Sequence, residues 1–131
     1  MDWVNKHLQV VPINTFIDPI FPVENAIITH AHADHAKPGH NNVLATKHTI
    51  EIMKIRYGEN CANNFQELSF NSPLNVNGVK VTFFPAGHIL GSAQVLLEYK
   101  KDKINFTGDF KITKDDTCEN FRPVTCDTLV T

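Results

Sequence analysis

A chain of 131 residues and 14.7 kDa is long enough for one domain, or part of one, and too short for two. With 42% apolar and 20% charged residues, six glycines and seven prolines, it reads as globular, which excludes a disordered or collagen-like chain. Twelve Lys/Arg against fourteen Asp/Glu give a net charge of −2, so no chain-wide positive field draws nucleic acid without a metal ion or a local patch.

In chain order, Leu8 to Val11 and Thr15 to Asp18 are expected to form two strands joined by a turn at Pro12 and Asn14, and the apolar run Ala26 to Thr29 a short buried strand. From Lys47 to Tyr57, Ile50, Met53 and Tyr57 recur at i, i+3 and i+7, with Thr46 as N-cap and Gly58 just past the end. The spacing predicts a helix whose stripe is core packing. Alternation then predicts three strands, around Val79 to Phe83, Ala93 to Tyr99 and Ile104 to Phe106, with tight turns at Asn77-Gly78 and Lys101-Asp102. No repeat, linker or low-complexity segment divides the chain, so residues 1–131 read as one sheet-dominated α/β piece.

Three widely spaced cysteines, Cys61, Cys118 and Cys126, form no CxxC pair and suggest a reducing compartment rather than a disulfide framework. The N-terminus lacks the apolar core of a signal peptide, and no stretch approaches ~18 uninterrupted apolar residues. The expectation is a soluble, cytoplasmic chain with no membrane partner.

Seven histidines are unusual, and four of them fall between His30 and His40. The run His30-Ala31-His32-Ala33-Asp34-His35 follows the apolar AIIT directly, and chance places three His and one Asp so in roughly one such sequence in a thousand. While the chain is extended, His30 and His32 point to one face and can share one metal ion. Beyond a turn, Asp34 and His35 can address a second position. His88 follows an alternating strand in PAGHILGS and is the natural third nitrogen, and Asp109 follows another in FTGDF and is the natural carboxylate bridge. Donors from several strand ends make an open, catalytic site. Two divalent ions there would activate a bridging water for in-line attack on a phosphodiester, with Asp34, His35 and Asp109 in the catalytic set and Lys111 as a phosphate contact or simply a solvated lysine. Asp18 is either a carboxylate orienting a ligand imidazole or a strand-ending turn residue, whereas His40, a cap for the segment after Pro38, and His48, in the first helical turn, are expected not to be ligands.

The HxHxDH pattern of His30, His32, Asp34 and His35 resembles the signature of the metallo-β-lactamase fold superfamily. Within it, AGHILGSA (Ala86 to Ala93) and FTGDF (Phe106 to Phe110) resemble the β-CASP nucleic-acid-processing branch. FIDP at Phe16 to Pro19, ITHAHADHAKPGH at Ile28 to His40, GDFK at Gly108 to Lys111 and CDTLVT at Cys126 to Thr131 are similar to the bacterial ligase-associated DNA exonucleases. The resemblance implies an αββα four-layer sandwich of which this chain holds the N-terminal part, without the β-CASP insertion and the C-terminal portion. It implies His30, His32 and His88 on a first ion, Asp34 and His35 on a second, Asp109 bridging, and zinc, or manganese, as the metal. The second site would lack a ligand supplied by the C-terminal portion, and a sheet face would lie exposed. The function it implies is a DNA exonuclease of repair and ligation, with a DNA ligase as functional partner. The alternatives are RNA processing, another hydrolase of the superfamily acting on thioesters, lactones or β-lactams, and a metal-binding chain without activity.

Overall fold

The computed structural model describes residues 2–114 and 116–131. A first sheet holds β1 (Gln9–Val10), β2 (Thr15–Ile17), β3 (Asn25–Ile27), β4 (His40–Ala45) and β5 (Ala62–Glu67) in that spatial order, antiparallel between β1 and β2 and parallel thereafter. A second holds β6 (Leu74–Val76), β7 (Val79–Pro85), β8 (Ala93–Tyr99), β9 (Asp102–Phe106) and β10 (Thr128–Val130), antiparallel except where β10 joins β9. Between β4 and β5 runs the helix α1 (Lys47–Tyr57).

Alternation explains the second sheet. Val81 pairs with Leu97, Phe83 with Val95 and Leu97 with Ile104, so these three strands turn an apolar stripe to one face. That face packs on Val10, Ile17 and Ile27 of the first sheet, forming the main core around the fully buried Phe83. On the other face, Glu98 lies 3.3 Å from Lys80 and 3.5 Å from Lys103.

The far side of the first sheet carries α1, whose Ile50 and Met53 pack on Ala26, Ile28, Val43 and Ala45. Its bounds are those the spacing predicts. The N–H of Thr49 donates to Thr46 Oγ1 at 3.4 Å, and the N–H of Gly58 closes the last turn on Lys54 O at 2.8 Å.

Helix, sheet and sheet make three layers, a mixed α/β architecture with both sheets face to face. The sheet face expected to lie bare is partly covered from within the chain. The segment between β9 and β10 crosses the second sheet, with Gln94 Nε2 donating to Arg122 O at 2.6 Å and the Arg122 guanidinium 5.0 Å from the Phe84 ring. Other details also depart from expectation. The first three strands are shorter, the β8–β9 turn centres on Lys100 and Lys101 rather than Lys101 and Asp102, and β4, β5, β6 and β10 are strands that the sequence does not predict. Among the described residues no helix is long and apolar enough to cross a membrane.

Candidate metal centre

Every candidate ligand follows the carboxyl end of a strand. His30 to His35 come after β3, His88 after β7 and Asp109 after β9, and Asp18, not itself a candidate ligand, comes directly after β2. Because β2 and β3 are parallel, their carboxyl ends open on one rim, where α/β sheets gather ligand-binding loops. The two sheets meet at this rim through the N–H of Ala93, which donates to Thr29 O at 2.8 Å. After His32 the chain turns, with the N–H groups of His35 and Ala36 donating to His32 O at 3.0 and 2.8 Å, and this separates the first histidine pair from Asp34 and His35.

Four donor atoms come together, lying within 4.8 Å of one another on His30, His32, His88 and Asp109. His32 Nδ1 stands 3.1 Å from His88 Nε2, and Asp109 Oδ2 stands 3.5 Å from His30 Nε2 and 3.8 Å from His88 Nε2. On the other side of Asp109, the same Oδ2 lies 3.7 Å from His35 Nε2, which is 3.6 Å from Asp34 Oδ2. Asp109 therefore sits between a three-histidine group and an Asp34–His35 pair. Asp34 is 76% exposed and opens, with His35 and Asp109, on a cavity of about 320 Å³ whose apolar wall includes Leu8, Ile17, Phe106 and Val130. A larger cleft at the other end of β3, lined by Asn25, Asn42 and Asn64, contains none of these groups.

The residues fit a divalent ion. His30 Nε2 is buried and has no hydrogen-bond partner among the described residues, an arrangement that is costly unless something occupies its lone pair. Burial foremost, helped by the charge of His35, brings the His30 pKa down to about 4, so its ring is neutral near pH 7 as ligation requires. Three imidazole nitrogens and a carboxylate oxygen are donors that suit zinc. The pKa of His35 is raised, chiefly by its 2.8 Å hydrogen bond to Asp18 Oδ2, against the opposing effect of burial.

Of the two roles open to Asp18, its contacts are those of an orienting group: it takes His35 Nδ1 on Oδ2 and leaves His35 Nε2 turned toward Asp34 and Asp109. Its other contacts are with Thr29, whose N–H donates to Oδ1 at 2.7 Å and whose hydroxyl donates to Oδ2 at 2.6 Å. Thr29 has no part in the sequence reading beyond the apolar run. Arg56 and Ser92 also go unnoticed there: Arg56 of α1 donates to Ala31 O, and Ser92 Oγ accepts from the N–H groups of His88 and Ile89 at 3.0 and 3.2 Å. Nothing local in the sequence links Arg56 to a residue 25 positions earlier. Ser92 lies inside the GHILGS segment, next to the candidate ligand His88 in sequence, which is the one signal that points to it.

Lys111 lies beside the His88 loop, its N–H donating to Ala86 O at 3.0 Å. His40 opens β4 instead of capping a segment, with Nδ1 accepting from the N–H of Val23 at 3.2 Å, and His48 lies on α1, 3.9 Å from Glu51. Neither belongs to the cluster of donors.

Comparison with known proteins gives matches along nearly the whole chain. Residues 2–131 match the family described as beta-lactamase superfamily domain. A probable DNA ligase of Opitutus terrae is 31% identical over 113 residues, which is 86% of this chain and 11% of that protein. The RNase J-like protein of Methanocaldococcus jannaschii is 30% identical over 111 residues, covering 66% of this chain and 25% of its own length. The endoribonuclease YSH1 of Yarrowia lipolytica is 40% identical over 53 residues, 40% of this chain and 6% of that protein. This chain thus spans a quarter or less of these curated relatives. Among solved structures, a protein of unknown function from Enterococcus faecalis superposes on 72% of this chain and 26% of its own, with a TM-score of 0.56 at 20% identity, a likeness of fold.

Proposed function

This chain belongs to the metallo-β-lactamase superfamily, and from that premise we propose that it is part of a metal-dependent phosphodiester hydrolase acting on nucleic acid, with DNA ends as substrate in repair and ligation. One observation carries the reading: three imidazoles and a carboxylate, brought from both sheets, gather donor atoms within 4.8 Å of one another, among them the buried His30 Nε2, which has no hydrogen-bond partner among the described residues. His30, His32 and His88 would hold a first divalent ion and Asp34 and His35 a second, with Asp109 placed between the two groups of side chains. Zinc suits the nitrogen-rich site, and manganese is a second candidate. Such ions lower the pKa of water and offset the negative charge that grows on a phosphate under attack.

The chain's own groups prepare that chemistry. Asp18 holds the His35 ring by Nδ1, Arg56 ties the carbonyl of Ala31 to α1, and Ser92 fixes the backbone of the His88 loop. The cavity beside Asp34, His35 and Asp109 gives a phosphate access on the exposed side, while His30 closes the buried side. Lys111 takes the role of a phosphate contact from the neighbouring segment.

DNA is favoured by the relative named as a ligase, which matches most of the chain, and that relative also points to a DNA ligase as functional partner. RNA cleavage is the second reading, favoured by relatives named as endoribonuclease and RNase J-like. The test is cleavage of end-labelled DNA and RNA with zinc or manganese, by the chain and by any longer polypeptide containing it. Cleavage of DNA that stops on chelation, and that Asp34→Ala and Asp109→Ala abolish, is the expected result. Cleavage that survives chelation or either substitution would refute the mechanism, and a preference for RNA would replace the substrate. An effect of Lys111→Ala on KM alone would mark it as a phosphate contact.

A further inference from the structure

We infer that Thr29 is a positioning residue that sets the ring tautomer of His30, and that through it a single oxygen of Asp18 fixes the donor nitrogen in both candidate ion sites. The inference rests on the reading of His30 and His35 as ligands.

Asp18 Oδ2, as a carboxylate oxygen, can only accept. Thr29 Oγ1 lies 2.6 Å from it and carries one hydrogen, so that hydrogen is committed to Asp18. The same hydroxyl stands 3.0 Å from His30 Nδ1. With its only proton spent, Thr29 Oγ1 meets that nitrogen as an acceptor, and His30 Nδ1 must donate. A neutral imidazole protonated on Nδ1 bears its lone pair on Nε2, the buried atom that has no partner among the described residues and lies 3.5 Å from Asp109 Oδ2. The opposite tautomer would place two acceptors 3.0 Å apart, or would make the hydroxyl abandon its 2.6 Å bond to a charge, the stronger kind of hydrogen bond. The second arm is direct. His35 Nδ1 lies 2.8 Å from Asp18 Oδ2 and donates to it, which frees His35 Nε2 for the Asp34 and Asp109 side.

Thr29 is well placed to hold this role rigidly. It is 1% exposed, its N–H is bound by Asp18 Oδ1, and its carbonyl receives the N–H of Ala93 from the opposite sheet. As a β-branched residue it also has few rotamers to choose from.

The decisive readout is the tautomer itself, from long-range proton–nitrogen correlation on the metal-free chain labelled with [15N]histidine. His30 is expected to carry its proton on Nδ1 in the wild type and in Thr29→Ser, and to lose that preference in Thr29→Val, which keeps the shape and removes the hydroxyl. Zinc affinity, measured by competition with a chromophoric chelator, is expected to fall about 10–100-fold in Thr29→Val and to be kept in Thr29→Ser. Wild-type His30 protonated on Nε2, or a folded Thr29→Val with wild-type tautomer and affinity, would overturn the inference. If Thr29→Val does not fold, the wild-type and Thr29→Ser spectra decide the matter alone. A chain with the expected tautomers and zinc affinity that cleaves no nucleic acid would count against the proposed function and leave this relay standing.

Discussion

Gly87→Ala should damage the candidate centre through backbone crowding, with no ligand touched. Gly87 has φ +73, and a Cβ there would stand 2.5 Å from Lys111 O and 2.7 Å from Phe121 N. Both neighbours are backbone atoms, so no side-chain rotation relieves the clash. Restoring an ordinary van der Waals contact moves the two segments apart by about 0.9 Å. That displacement strains the bonds joining them, from the Lys111 N–H to Ala86 O at 3.0 Å and from the Arg122 N–H to Pro85 O at 3.1 Å. Losing both costs about 2 kcal/mol, added to about 1–2 kcal/mol for a Cβ in the left-handed region. Gly78→Ala is the matched control, because Gly78 has φ +86 in the β6–β7 turn but open space where its Cβ would go, so only the second cost applies. Urea denaturation should therefore show a loss of about 3–4 kcal/mol for Gly87→Ala and about 1–2 kcal/mol for Gly78→Ala. Zinc affinity should fall only in the first, since His88 follows Gly87 while Asp109 precedes Lys111 on the displaced segment. Equal losses in the two variants, with zinc affinity intact in both, would refute the reasoning.

Three further outcomes are expected. Thr46 Oγ1 caps α1 and donates to Gly91 O at 2.7 Å, so Thr46→Ala should cost about 1–3 kcal/mol in a urea melt and Thr46→Ser should recover most of it. The metal-free fold should weaken as pH falls from 6.5 toward about 4, because burial lowers the pKa of His40 and, together with the charge of His35, brings that of His30 to about 4, so the unfolded chain binds protons that the folded chain refuses. His35, raised by Asp18, gains stability as pH falls to 6.5 and adds a constant amount below it, so it does not offset the decline, and equal urea midpoints at about pH 6.5 and 4.5 would contradict this. Zinc at about 100 times its Kd should add about 2.7 kcal/mol to the stability of the wild type and much less to His88→Ala, a difference that a thermal melt reads directly.

What the sequence makes legible follows the range of the forces involved. Helix α1 is plain because its cap, its stripe and its terminal glycine are all local. Strands β7 to β9 show through alternation, since one face is buried from Val79 to Pro85, from Ala93 to Leu97 and at Ile104 and Phe106. Strands β4 and β5 do not, because HNNVLA and ANNFQE carry asparagines that strands ordinarily disfavour. These asparagines find partners across the sheet instead: Asn42 Nδ2 donates to Asn25 Oδ1 and Asn64 Nδ2 to Asn42 Oδ1, each at 2.9 Å, over separations of 17 and 22 residues. On the opposite face Asn41 reaches Glu24 and Asn63 reaches Asn41. A window of a dozen residues contains none of these pairs. The candidate ligands stand out for the opposite reason, since His30 to His35 are consecutive and chemically conspicuous, whereas Thr29, Arg56 and Ser92 act through contacts that only the fold creates.

The division of donors between the sheets ties the site to the core. His30, His32, Asp34 and His35 come from the loop after β3 in the first sheet, and His88 and Asp109 from loops after β7 and β9 in the second. An ion held by both sets would bridge the inter-sheet packing of Ile17 and Ile27 against Phe83, Val95 and Phe106. Its binding free energy would then oppose any sliding of one sheet over the other, and whatever loosens that packing would lower affinity for the ion by the same linkage. The rim is already pinned at Thr29, which receives the N–H of Ala93 from the second sheet and binds Asp18 within the first. The backbone of Thr29 thus ties the two sheets together while its N–H and hydroxyl hold Asp18 within the first, and both contacts order the loop that carries the candidate ligands as part of folding.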